Sequence, residues 1–311
     1  MSAVRTVAVL KGGRSAEREV SLNTGAQVAS ALASADFRVV EIDTGDAGFI
    51  EAIRVSGADV AFICLHGRWG EDGTIQGLLE LLDLPYVGSG VLASAAAMDK
   101  VMSKRLFELH GLKTPEWATV RRGEPFDTDA LVMQLGTRTV VKPASEGSAI
   151  GVTIVHAPEE LPVALEESFR HDAVALVERF VAGAEVTVGV LGNEHPRALP
   201  SLEIVPEHEF YDYESKYVPG MSRHIIPARI SAEADAECVR LALEAHAALG
   251  CWGMSRADTI VTADGEVYLL EVNTIPGMTA TSLFPDAARA AGIEFPQLCA
   301  QLVELALEDR G

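Results

Sequence analysis

Residues 254–273 read MSRADTIV, TADG and EVYLLEVN, two apolar runs meeting at Asp264-Gly265. Asp-Gly supplies the positive φ angles of a two-residue hairpin turn, so the stretch predicts an antiparallel pair with a defined register. With that turn, Ala263 pairs with Glu266, Asp258 lies opposite Glu271, and Arg256 lies opposite Asn273. A four-residue turn shifts the register by two and keeps the same face. Glu271 and Asn273 are two apart in an apolar strand, so their side chains project together. Opposed carboxylates repel, and an ionised carboxylate is costly to take from water without compensation. A divalent cation resolves both problems. An oxygen set of Asp, Glu and Asn suits Mg²⁺ or Mn²⁺, with substrate phosphates completing the octahedron. A solvated, merely acidic hairpin face is the plainer alternative, and the apolar run around Glu271 weighs against it.

The first 90 or so residues alternate strand and helix. TVAVL (6–10), RVVEID (38–43) and DVAFICL (59–65) read as strands, with helical segments over 21–34 and 74–83. This alternation predicts a parallel sheet flanked by helices, with ligands gathering at the loops that leave the C-terminal strand ends. Those loops are KGGRSAEREV and HGRWGEDG. A long helix is predicted over 91–110. A small α+β unit follows, with strands TVVKP (139–143), GVTIV (151–155) and VALVERF (174–180) around a helical segment. Beyond Gly183 come strands EVTVGVL and ALPSLEIV, a loop holding FYDYESKYVPG, a helix over 231–249, the hairpin and C-terminal helices.

Composition narrows the function. The 311 residues carry 45 acidic and 25 basic side chains, a formal net charge of −20. That balance argues against nucleic acid and anionic membrane partners, though a small phosphate ligand needs only a local basic pocket. Cys64, Cys238, Cys251 and Cys299 show no metal spacing and read as buried reduced thiols. Met1 is followed almost at once by a strand, with no long apolar leader, and no later stretch spans a bilayer, so a cytoplasmic protein is expected.

Several motifs are ambiguous alone. In VVKPASEGSAIGV a strand delivers Lys142 into a Ser/Gly loop whose backbone N–H groups can approach phosphate oxygens. The same loop serves equally as a hairpin connection. Glu178 and Glu185 flank a short linker that can offer backbone groups to adenine and a carboxylate to ribose, or can be exposed linker glutamates. GGRSAEREVSL lacks GxGxxG spacing and places Glu17 where a dinucleotide loop needs small residues, so a dehydrogenase is disfavoured. His66 ends the third strand, where an isolated histidine is more often structural than catalytic.

Taken together, GGRSAEREVSL, LHGRWGEDGTIQGLLELLDLPYVGSG, MDK, KPASEGSAIGV, YDYESKY, SRAD and LLEVNTIPGMTATSLFP run in order across nearly the whole chain. The set resembles the D-alanine–D-alanine ligase family of the ATP-grasp superfamily. The resemblance implies a mixed α/β and α+β architecture, the ATP-grasp fold. An N-terminal Rossmann-like parallel-sheet domain (1–90) binds substrate; a central (91–183) and a C-terminal domain (184–311), both α+β, clamp ATP between them. It implies ATP-dependent joining of two D-alanines through an acyl phosphate, releasing ADP and phosphate, for peptidoglycan precursor synthesis. A D-alanine–D-lactate ligase or another ATP-grasp carboxylate–amine ligase is the alternative.

The resemblance also implies residue roles. Lys100 and Lys142 contact ATP phosphates, with Ser145, Glu146, Gly147 and Ser148 in the loop closing above them. Glu178 and the Phe180–Val181 backbone hold adenine, and Glu185 the ribose. Asp258, Glu271 and Asn273 ligate two Mg²⁺ (or Mn²⁺), Glu271 bridging. Glu17 grips the first D-alanine's ammonium, with His66 nearby, and Ser148 and Tyr217 hydrogen-bond with Glu17. Arg256 and the Gly277 N–H stabilise the oxyanion. Lys216, Ser282 and Leu283 receive the second D-alanine. A homodimer is implied as well. The sequence departs from many relatives at Arg14, Ala144 and Ala149, which touches the loops rather than the presumed metal and oxyanion positions. Tyr217 resembles the dipeptide-forming type.

Overall fold

The computed structural model describes residues 4–147, 150–206 and 222–308. β1 (Thr6–Lys11), β2 (Arg38–Asp43) and β3 (Val60–Ile63) form the expected parallel sheet in the order β2-β1-β3. α1 (Arg18–Ser34) and α2 (Phe49–Val55) connect its strands, and α3 (Thr74–Leu81) follows β3. β1 and β3 are buried almost throughout, which is why both read as uninterrupted apolar runs.

The long helix predicted over 91–110 is two helices, α4 (Val91–Met98) and α5 (Lys100–Leu109). Asp99 is extended (φ −81°, ψ 100°) and its carboxylate accepts the Met102 N–H, capping α5. Aspartate competes with the helical backbone for hydrogen bonds and is favoured at such caps. The break also fastens Lys100 to the Ser/Gly loop, through its N–H donated to the Ala144 carbonyl at 2.9 Å.

The second sheet holds β4 (Trp117–Arg121), β5 (Thr139–Pro143), β6 (Thr153–Val155) and β7 (Val174–Arg179) in the antiparallel order β4-β7-β5-β6, with α6 (Thr128–Leu135) and α7 (Leu161–Ser168) alongside. β4 and α6 were not predicted. Both lie at an edge and bury little, Val120 and Leu135 being their buried residues, so neither leaves a clear periodic signal.

The third sheet runs β11-β10-β8-β12-β13, with β9 on β8. Its strands are β8 (Ala184–Leu191), β9 (Arg197–Ala198), β10 (Leu202–Pro206), β11 (Ser222–Ile225), β12 (Met254–Val261) and β13 (Val267–Asn273). ALPSLEIV, predicted as one strand, is divided between β9 and β10 by Leu199–Ser201. α8 (Ala232–Leu249) covers the sheet; Ser231 caps its start by accepting the Ala234 N–H, and Gly250 ends it at φ 69°. α9 (Leu283–Ala290) and α10 (Phe295–Ala306) return to the N-terminal sheet, and their Phe284, Ala288, Leu298 and Leu302 share one core with Val7, Val9, Val28 and Phe62. No described helix is long and apolar enough to cross a membrane. All four cysteines are buried free thiols.

The hairpin reaches the predicted register by another route. Thr262 and Glu266 close a three-residue loop, the Thr262 N–H donating to the Glu266 carbonyl at 2.9 Å, with Gly265 at φ 85°. Val261 therefore faces Val267 and Thr259 faces Leu269, one residue off the two-residue register. A bulge between Asp258 and Thr259 absorbs Leu270 and restores the offset, so Asp258 faces Glu271 and Arg256 faces Asn273.

Candidate active site

A cleft between the second and third sheets is lined by Lys100, Lys142, Glu146, Gly147, Glu178, Phe180, Val181, Glu185, Asp258 and Glu271, with Val140, Ile150, Ile154, Ile260 and Leu270 supplying apolar walls. The residues expected around ATP thus converge from four separate segments: the start of α5, β5 with its Ser/Gly loop, β7 running into β8, and the β12–β13 hairpin. Ser145 holds the loop's outer root, its N–H donating to Asp172 at 2.9 Å. Ser148, Lys216 and Tyr217 lie outside the described residues.

Glu178 is not a linker residue. It sits within β7, 2% exposed, and its two oxygens pair with Lys104 and Lys142. Burial opposes ionisation of Glu178, but the two lysines outweigh it and hold its carboxyl below the usual range. Burial likewise opposes the Lys142 charge, yet Glu178 and Glu271 together hold that pKa above the usual lysine value. Lys104, which the sequence reading missed, is completely buried, and burial pushes its pKa down to about 8. The signal was present: Lys104 is one turn from the buried Phe107 on α5, a cation in the apolar face of a helix.

On the hairpin, Asp258 is buried and fully engaged. Arg256 donates through Nε to Oδ1 at 2.8 Å and through its terminal nitrogen to Oδ2 at 2.7 Å. Thr187 donates to Oδ1 at 2.6 Å and the Asn273 amide to Oδ2 at 3.0 Å. Glu271 is the more open carboxylate, its side chain 27% exposed on the cleft wall and its Oε2 3.7 Å from Lys100 Nζ. The predicted burial of Glu271 is therefore corrected: the bulge turns it to the cleft, and Arg256 and Lys100 already offset the two carboxylates. Among the described residues no three His, Cys, Asp or Glu side chains gather as a metal cluster. Two carboxylates on the cleft wall, with the Asn273 amide bonded to one of them, still suit a hard divalent cation, because Mg²⁺ uses one or two carboxylates and takes its other ligands from phosphate and water. The donor set fits in type.

A second cluster lies at the mouth of the N-terminal sheet. Glu17 precedes α1, is 4% exposed, and its N–H is held by Ser15 Oγ at 3.3 Å. Its Oε2 presses on Gly67, where a methyl group would come within 2.5 Å. His66 is buried with Nε2 3.2 Å from Thr24 Oγ1; burial lowers its pKa, only partly offset by the Glu17 charge. Glu71, also missed, accepts the Gly67 N–H at 2.6 Å, and burial followed by the Glu17 charge pushes its carboxyl up to about 8. It sat unremarked inside HGRWGEDG. Gly147 of the Ser/Gly loop abuts both acids: a methyl there would lie 3.7 Å from Glu17 and 3.9 Å from Glu71.

The segment after β13 supplies Gly277 and Ser282. A methyl on Gly277 would be 3.0 Å from Ser282 Oγ, which also contacts Thr279 Oγ1 at 2.7 Å. Ser282 precedes α9, whose first residue, Leu283, is buried against Leu202 and Ile204.

A family model described as the D-ala D-ala ligase C-terminus matches residues 106–304, and one described as the D-ala D-ala ligase N-terminus matches residues 47–89. A D-alanine–D-alanine ligase of Pelotomaculum thermopropionicum is 52% identical over 311 residues, covering 98% of both chains. One from Desulforudis audaxviator is 50% identical over 306 residues, with 98% of this chain and 99% of the relative covered. Among solved structures, the D-alanine–D-alanine ligase of Bacillus anthracis complexed with ATP superposes with a TM-score of 0.86 at 34% identity over 98% of each chain.

Proposed function

The chain belongs to the D-alanine–D-alanine ligase family, and from that membership we propose that it joins two D-alanines at the expense of ATP, making a peptidoglycan precursor. The observation that carries this reading is the approach of the Ser/Gly loop to Glu17 and Glu71 at Gly147, near enough that a methyl group there would touch both acids. A loop suited to phosphate meets a buried carboxylate suited to an ammonium, the arrangement needed to phosphorylate an amino acid.

In this mechanism Glu17 holds the first D-alanine by its ammonium and His66, neutral through burial, borders it. The substrate carboxylate attacks the γ-phosphorus, ADP leaves, and an acyl phosphate forms. Lys100 and Lys142 neutralise the phosphate charge, and Glu178 and Lys104 keep Lys142 extended into the cleft. Phe180, Val181 and Glu185 border the nucleoside. Asp258, Glu271 and Asn273 would hold two Mg²⁺ or Mn²⁺ ions, which when bound offset charge on the transferring phosphoryl group. The amine of the second D-alanine, having lost its extra proton, attacks the acyl carbon. Arg256, anchored by Asp258, and the Gly277 N–H stabilise the oxyanion; phosphate then departs with one oxygen of the first carboxylate. Ser282 and Leu283 border the second subsite; Lys216, assigned to that subsite, and Ser148 and Tyr217, assigned to hydrogen bonds with Glu17, belong to the same reading and lie outside the described residues. Three domains, 1–90, 91–183 and 184–311, a homodimer and a cytoplasmic location belong to the same reading.

Phosphate release measured with D-alanine alone, and again with D-lactate added, tests it. Dipeptide and phosphate should form in equal amounts from D-alanine, with no ester product; absence of D-alanine-dependent turnover overturns the assignment.

A further inference from the structure

The segment 277–282 is held from outside at Ala280, on both sides of its Cα. The Ala280 N–H donates to Gln27 Oε1 of α1 at 2.7 Å, and the Ala280 carbonyl accepts from Arg289 at 2.5 Å. Arg289 also donates to Asp286 Oδ1 at 2.7 Å, and the other Asp286 oxygen is 2.6 Å from His224 Nδ1 on β11. Burial opposes ionisation of Asp286, but His224 and Arg289 outweigh it and keep its carboxyl below the usual range. An ionised carboxylate only accepts, so His224 carries its proton on Nδ1. The Asp286 N–H in turn donates to the Ser282 carbonyl at 3.0 Å.

Loop peptides ordinarily turn to solvent. Here side chains from α1 and α9 fix both backbone polar groups of one residue, the N–H and the carbonyl of Ala280. Ala280 is itself exposed, so burial of its side chain does not explain the clasp. Gly277 and Ser282 lie at the two ends of this segment, in contact range of each other. A small rotation of α9 would move Ser282 relative to Gly277.

We propose that His224, acting through Asp286 and Arg289, with Gln27 at the opposite side, is a positioning residue for the second amino-acid subsite. The inference rests on the ligase reading and deepens it. His224 is half-buried and bonded to a charged acceptor, so its loss should weaken second-substrate use roughly tenfold, the scale of one charge-assisted hydrogen bond.

The test compares wild type, H224A, H224N and Q27L in two assays. Dipeptide formation against D-alanine concentration reads both subsites. Hydroxylamine capture of the acyl phosphate as the hydroxamate, at limiting D-alanine, reads the first half-reaction alone. H224A should raise the Michaelis constant for dipeptide formation about tenfold and leave hydroxamate formation within twofold of wild type. H224N, whose side-chain N–H replaces Nδ1–H, should recover most of the loss, and Q27L should show the same split more weakly. Unchanged dipeptide kinetics, a parallel fall in both assays, or no recovery in H224N would overturn the proposal. Should H224A fail to fold, H224N and Q27L carry the comparison. A wild type that makes no dipeptide from D-alanine overturns the ligase reading itself, and this inference with it, before any variant is considered.

Discussion

Replacing Glu271 by Gln removes one charge from a cleft wall that faces Lys100 at 3.7 Å and also favours the Lys142 charge. The side chain keeps its shape and is partly open to solvent, so the fold should persist. Turnover should fall at least about a hundredfold and the Mg²⁺ requirement should rise; near-wild-type Mg²⁺-dependent activity would contradict the metal assignment. Glu71 gives a prediction with a sign. Its carboxyl titrates near 8 in the folded chain, against the ordinary 4.5. Below 4.5 both states hold the proton. As pH rises toward 8 the unfolded chain releases it while the folded chain keeps it, so stability is lost over that window. Glu71→Gln abolishes this titration. Its stability relative to wild type should therefore improve from pH 5 to pH 9, by about 1–3 kcal/mol allowing for the partial exposure of Glu71. Paired thermal melts at the two pH values would show it, and a difference constant with pH would count against it. Glu71 was illegible as a site residue because burial, not spacing, makes it unusual, whereas Lys104 left a trace as a cation on the apolar face of α5.

At the scale of elements, the β12–β13 hairpin separates its turn from its site. Gly265 adopts φ 85° with open space around it, so Gly265→Ala meets no clash and suffers only backbone strain. About 1–2 kcal/mol should be lost, a fall of a few degrees in melting temperature, with turnover unchanged because the bulge at Asp258 sets the register of the reactive residues. Loss of activity in a folded Gly265→Ala protein would show instead that the turn controls the site. Asp-Gly marked the hairpin correctly, but the turn length and the bulge are offsetting one-residue irregularities that no local pattern distinguishes from their joint absence. The α4–α5 break shows the same limit. Asp99 reads as a helical residue until its carboxylate is found capping Met102.

Across the whole molecule, three sheets among the described residues bring chain segments 100, 142–147, 178–185 and 258–271 to one cleft, and Gly147 brings that cleft to the edge of Glu17 and Glu71. The parallel sheet was readable because β1 and β3 are buried runs, and the lining of the cleft between the second and third sheets because its residues fall in short motifs. What unites the segments was not readable: α9 and α10 pack into the core of the first sheet, joining the end of the chain to its beginning. The strongly acidic balance of the chain has no structural account. If the cleft and the Glu17 pocket form one site, an oxygen of the first D-alanine's carboxylate must leave with phosphate. D-Alanine labelled with ¹⁸O in its carboxyl group, turned over with ATP, should yield inorganic phosphate carrying one label for each dipeptide formed. Dipeptide formed with unlabelled phosphate would contradict the acyl-phosphate mechanism at its centre.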